Sequence, residues 1–108
     1  MKLIIAYIRP EILTSVKCRL FAREIYSLSV TNVLGSGQQK GYTEIYRGIQ
    51  TEVNLLKKLR LELAVKEEQL ASALEAIETG ARTGKEGDGV IFVIDLLEAR
   101  RIRTGENL

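Results

Sequence analysis

In the stretch Thr83-Gly-Lys-Glu-Gly-Asp-Gly89, glycines at 84, 87 and 89 alternate with charged residues just ahead of the apolar run Val90-Ile-Phe-Val-Ile94. Glycine adopts positive φ without steric cost and lets a ligand come close to the main chain. Successive N–H groups in such a turn can form an anion-binding nest; the same residues also suit an ordinary tight turn. A second pair, Gly35 and Gly37, leaves another apolar stretch and admits the same two readings. Arg101 and Arg103 flank Ile102. In an extended segment they would share one face, and two guanidinium forks side by side suit bidentate phosphate contacts. The alternative is a solvated basic tail. Lys58 offers one more point charge, for a carboxylate or phosphate near Gln39, or is a plain surface lysine.

What is missing narrows the chemistry. The chain has no histidine, which removes the commonest general base and the commonest metal ligand. Triad hydrolysis and a histidine-based zinc site are thereby excluded. A small phosphohydrolase could aim Arg101 or Arg103 at an acyl phosphate, but no base accompanies them. The formal charge of +2 is too small for a dominant nucleic-acid footprint. An RNA-binding sheet would need stacking aromatics, and Tyr7 and Phe92, isolated in apolar strands, are expected to be core residues. Cys18, the one cysteine, falls in a helical pattern and is expected to be a buried, inert thiol. No apolar run is long enough for a bilayer, and Pro10 and Glu11 interrupt the start before a cleavage pattern could develop. A cytoplasmic location follows as the expectation.

The elements that would position these residues come from periodicity. Residues 3–8, Leu-Ile-Ile-Ala-Tyr-Ile, predict a strand buried on both faces, ended by Pro10. Ile12, Leu13, Val16 and Leu20 recur at helical spacing behind Pro10 and Glu11, predicting a helix to about Ile25. Ser27 to Val33 predicts a second strand, broken by Gly35-Ser-Gly37. Leu59, Leu61, Leu63 and Val65 alternate with Lys58, Arg60, Glu62 and Ala64, as in a strand with one buried face. Glu67 and Glu68, then Leu70, Ala73, Leu74 and Ile77, predict a second helix with acids at its favourable end. Val90 to Leu97 predicts the last strand. The order βαββαβ implies an α+β, ferredoxin-like sheet in a single domain, residues 1–108, with right-handed crossovers. Between Gly35 and Leu55 lie about twenty residues without a long period, where connections usually run to roughly 4–6. Lys40, Tyr42, Tyr46 and Arg47 there favour a contact arm over a linker.

Three segments, Gly35-Ser-Gly-Gln-Gln-Lys-Gly-Tyr-Thr-Glu-Ile-Tyr-Arg-Gly48, Thr83 to Phe92, and Arg101-Ile-Arg-Thr-Gly-Glu106, together resemble the PII signal-transduction family in order, spacing and loop length. The resemblance runs along nearly the whole chain. It implies a homotrimer of ferredoxin-like subunits that binds adenine nucleotides (ATP, ADP or AMP) in clefts between neighbours. The family's T-loop would span about 36–55, its B-loop 83–90 and its C-terminal closing segment 98–106. By position, Thr83, Gly87, Asp88 and Gly89 would serve the phosphates, with Arg101 and Arg103 closing the same cleft. Gly35, Gly37, Gln38 and Gln39 match the T-loop base, and Ser29, Glu62 and Ala64 the adenosine end. Gln39 would help to hold magnesium between the phosphates and 2-oxoglutarate, and Lys58 would pair with a carboxylate of that keto acid. Tyr46 would be a partner contact, and Arg47 matches the arginine that family members insert into an ammonium channel.

The chain departs from the family at the phosphate end. Val90 stands where a lysine is usual and Gln38 where an arginine is common, so two positive charges are lost. A charge-assisted hydrogen bond is worth roughly 1.5 to 3 kcal/mol, and ATP is expected to lose more than ADP or AMP. The magnesium and 2-oxoglutarate response, built on the phosphates of ATP, is weakened with it. Thr51 and Ile49 replace the tyrosine and serine that other members modify. The expectation is a non-enzymatic regulator that signals energy, carbon and nitrogen state to a membrane channel or a metabolic enzyme. The alternative is a variant that prefers ADP or AMP and senses another small anion, such as bicarbonate in a carboxysome-related setting.

Overall fold

The computed structural model describes residues 1–36 and 55–108 in full, and between them the backbone of two further strands. In chain order the elements are β1 (Lys2–Ile8), α1 (Leu13–Ala22), β2 (Ser29–Gly35), β3 (Tyr42–Tyr46), β4 (Ile49–Val53), β5 (Leu56–Val65), α2 (Glu67–Ala81) and β6 (Val90–Asp95). Four strands form one sheet in the order β2-β5-β1-β6, with every neighbouring pair antiparallel. Each helix thus links two parallel strands with a third strand lodged between them. This is the split βαβ arrangement that the sequence predicts.

Alternation decides what the sheet buries. Ile4, Ala6 and Ile8 of β1 and Leu59, Leu61, Leu63 and Val65 of β5 point to the helices, where Val16, Leu20, Ala73, Ala76 and Ile77 complete the core. Small residues let the helices come close. A Cβ on Gly80 would lie 3.1 Å from the Val16 Cα, so α2 packs on α1 nearly backbone to backbone.

The other face is uncovered in the single chain. Leu3, Ile5 and Tyr7 are only half-buried, which corrects the expectation of a first strand buried on both faces: both helices lie on one side of the sheet. Tyr7 and Phe92 pair edge to face on the open side, 6.3 Å between ring centroids, and Phe92 is 49% exposed. They are neighbours across β1 and β6, and neither belongs to the core.

Local chemistry moves a further boundary. Helix α1 stops at Ala22, short of Ile25, because Glu24 enters the left-handed region at φ 60°. Its N–H bonds to the Phe21 carbonyl and that of Ile25 to the Leu20 carbonyl, the two bonds of a Schellman ending. Cys18 is exposed, not buried; two residues past Val16, it turns to the far side of the helix. Between β2 and β5, β3 and β4 pair as an antiparallel hairpin, Tyr42 opposite Val53 and Tyr46 opposite Ile49. The expected arm therefore contains regular structure of its own.

Candidate functional site

The loop from Thr83 to Gly89 is built around the Asp88 carboxylate. It accepts hydrogen bonds from the N–H groups of Thr83 (2.7 Å) and Gly84 (2.8 Å), from the Thr83 hydroxyl, and from Arg9 Nε (3.1 Å). These donors, the Thr83 hydroxyl foremost, hold its carboxyl far below the usual carboxylate range. Folding the side chain inward needs a backbone of unusual shape. Gly84, Gly87 and Gly89 all adopt positive φ, at 85°, 93° and 110°. At Gly89 a second constraint applies, since a Cβ there would lie 1.7 Å from the Tyr7 carbonyl oxygen.

Two cations brace this loop from the sheet. Arg9, at the end of β1, donates to the Glu86 carbonyl as well as to Asp88. Lys58, near the start of β5, donates to the Gly87 carbonyl at 2.6 Å. Burial, with the nearby Arg9 charge adding to it, pushes the Lys58 ammonium below the ordinary lysine value. The Asp88 and Glu11 carboxylates offset part of that effect, and Asp88 is paired with Arg9.

Beside the loop opens a cleft of ≈ 700 Å³, walled by Gly87, Asp88 and Gly89, by Val90 and Phe92 of β6, and by Gly35, Leu56 and Lys58. Gly35 and Leu56 pair across β2 and β5. The entry and the exit of the β2–β5 insertion thus border the same space as the glycine loop. The cleft gives a ligand access to both roots of the hairpin.

Ser29 pairs directly with Glu62, and Ala64 follows on the same face of β5. These three lie together, at the opposite end of β2 from Gly35, roughly 20 Å away at strand rise. Thr83 joins the loop through Asp88. Arg101 and Arg103 lie on a C-terminal turn, fastened by Gly105 N–H to the Arg101 carbonyl (2.7 Å) and by Arg101 N–H to the Glu106 carbonyl (2.9 Å). The segment is not extended, so the same-face argument for the two arginines does not hold. Neither side chain lines the cleft of the single chain. Gly37, Gln38, Gln39, Lys40 and Arg47 lie outside the described residues, as does the Tyr46 side chain.

Arg9 was not among the residues that sequence spacing picked out. Its contact with Asp88 crosses 79 positions, and a basic residue ahead of Pro10 looks like any surface strand end. The one hint was position: it closes β1 just where Tyr7 pairs with Val90, the first residue after the glycines.

Fold and cleft together define a ferredoxin-like domain with a braced glycine loop beside a long inserted hairpin. The family model for nitrogen regulatory protein P-II matches residues 1–106. A nitrogen regulatory protein P-II of Rhizobium etli is 50% identical over 106 residues, 98% of this chain and 95% of the relative. Nitrogen regulatory protein GlnK1 of Methanosarcina mazei is 49% identical over 108 residues, covering 98% and 92%. GlnK of Escherichia coli K12 is 43% identical over 106 residues, covering 98% and 95%. The chain belongs to the P-II family of nitrogen regulatory, signal-transduction proteins. Among the described residues no helix is long and apolar enough to cross a membrane.

Proposed function

We propose that this chain is a non-enzymatic, cytoplasmic regulator that binds adenine nucleotides in clefts between the subunits of a homotrimer and reports their presence through the T-loop hairpin. The observation that carries the reading is the shared cleft: Gly87 to Gly89, Gly35 at the entry of the insertion, and Leu56 and Lys58 at its exit wall one space. Phosphate oxygens would accept from the main chain of the glycine loop, whose positive-φ geometry is already set, so little ordering entropy is lost on binding. Lys58 would turn from the Gly87 carbonyl toward the incoming anion. Because Lys58 lies at the exit of the hairpin, that movement biases the T-loop conformations by the ligand's difference in affinity for them.

Two features support the assembly. The first is that the open sheet face carries Val90, Phe92 and Ile94 exposed, an apolar row that suits burial by a second chain. The second is that Arg101 and Arg103 do not line the cleft of the single chain; a neighbouring subunit would supply them to the phosphates.

Val90, 45% exposed on the cleft wall, gives no charge to a third phosphate, which favours ADP or AMP over ATP. Lys58 suits a carboxylate of 2-oxoglutarate, while Gln39, the residue expected near magnesium, lies outside the described residues. The relatives are nitrogen regulatory proteins by name, which favours nitrogen state over bicarbonate as the input. The target, a channel or an enzyme, would read Tyr46 and Arg47.

Calorimetric titration with ATP, ADP and AMP, each with and without magnesium plus 2-oxoglutarate, tests the reading. The expected result is ADP or AMP binding at least as tightly as ATP, with little gain from the keto acid. Absence of binding by all three nucleotides would overturn it.

A further inference from the structure

The cleft depends on a residue that does not line it. Resting on the phosphate reading of the glycine loop, we propose that Arg9 is the positioning residue of that loop: it holds Glu86 to Asp88 in the shape that presents the main chain to an anion, without touching the ligand. Arg9 precedes Pro10, which restricts it to extended backbone, and it is found at φ −67° and ψ 140°. The guanidinium is therefore launched from a rigid root at the end of β1. From there one planar fork serves two acceptors on two residues, the Asp88 carboxylate through Nε and the Glu86 carbonyl through a terminal nitrogen. Lysine, whose three donors share one nitrogen, lacks the planar fork that reaches both acceptors at once.

Burial gives the contact weight. The side chains of Arg9 and Asp88 are 17% and 23% exposed, so the pair is screened less than a surface ion pair. With Nε and one terminal nitrogen bonded to the loop and its side chain outside the cleft wall, Arg9 acts on the ligand through Glu86, Gly87 and Asp88. Losing it frees the loop on the side facing β1, while Thr83 and Gly84 still hold Asp88 from within.

The test uses the full chain and the variants Arg9→Gln, Arg9→Lys, Asp88→Asn and the double Arg9→Gln/Asp88→Asn. Two quantities are read: ADP affinity by calorimetry, and hydrogen exchange of the 83–89 amides against those of β1 and β5. Loss of a charged hydrogen bond predicts about tenfold weaker ADP binding for Arg9→Gln, faster exchange confined to 83–89, and only partial recovery in Arg9→Lys. The double variant should bind no worse than the weaker single variant, because both remove the same brace. Affinity within twofold of the unaltered protein, loop exchange that does not change, or losses that multiply in the double variant would each overturn the assignment. If the unaltered chain binds no ADP, the nucleotide reading fails by itself, and the exchange of 83–89 still decides the role of Arg9.

Discussion

At Gly89 the loop accepts one residue type. The backbone stands at φ 110°, and a Cβ would enter the Tyr7 carbonyl at 1.7 Å, so Gly89→Ala must shift either the loop or β1. Holding a non-glycine residue in such a region costs about 1–3 kcal/mol, and the clash adds to that. Thermal denaturation should show a lowered midpoint and titration a weakened response to ADP; an unchanged melt would mean that the loop does not press on β1 as described. The glycines were legible in the sequence, as an anion-binding nest or a tight turn; the bonding of Asp88 back to Thr83 and Gly84 was not. Arg9 was not, since nothing local marks a contact across 79 positions. The reading of Arg101 and Arg103 as one extended face failed for a local reason as well: Gly105 at φ 72° closes a turn around them.

Among the elements, β5 was the plainest. Its strict alternation maps onto one buried row and one row facing the open side. Helix α2 was also clear, from its acids at the start and its small and apolar residues at helical spacing. The hairpin was not legible, and the reason is physical. Strands β3 and β4 pair with each other in a sheet separate from the main one, and a ribbon that does not join the main sheet has no need of the apolar alternation that reveals its strands. Its independence leads to an expectation. Because Gly35 and Leu56 already face each other, a two-residue turn between them could replace the insertion with the register kept. The shortened protein should keep its far-UV circular dichroism and melt within a few degrees of the parent, while losing its response to a target. A collapse of the main sheet would show that the hairpin contributes to the fold.

For the whole molecule, the fold leaves one face of its sheet open, with Glu62 level with Ile5 and Phe92 in the strand register and Phe92 on the wall of the cleft. Periodicity could state that β1 is apolar throughout, but not that helices cover only one of its faces, since a strand covered on one side and a strand covered on both can carry the same apolar run. The most direct measurement is amide chemical-shift mapping of the assembled protein with ADP and, separately, with adenosine. The account predicts that ADP moves the Gly87 and Gly89 amides together with those of Ser29, Glu62, Ala64, Arg101 and Arg103, and that adenosine leaves the glycine loop unmoved. Shifts confined to the helical surface of α1 and α2, or an equal response of the loop to adenosine, would contradict it.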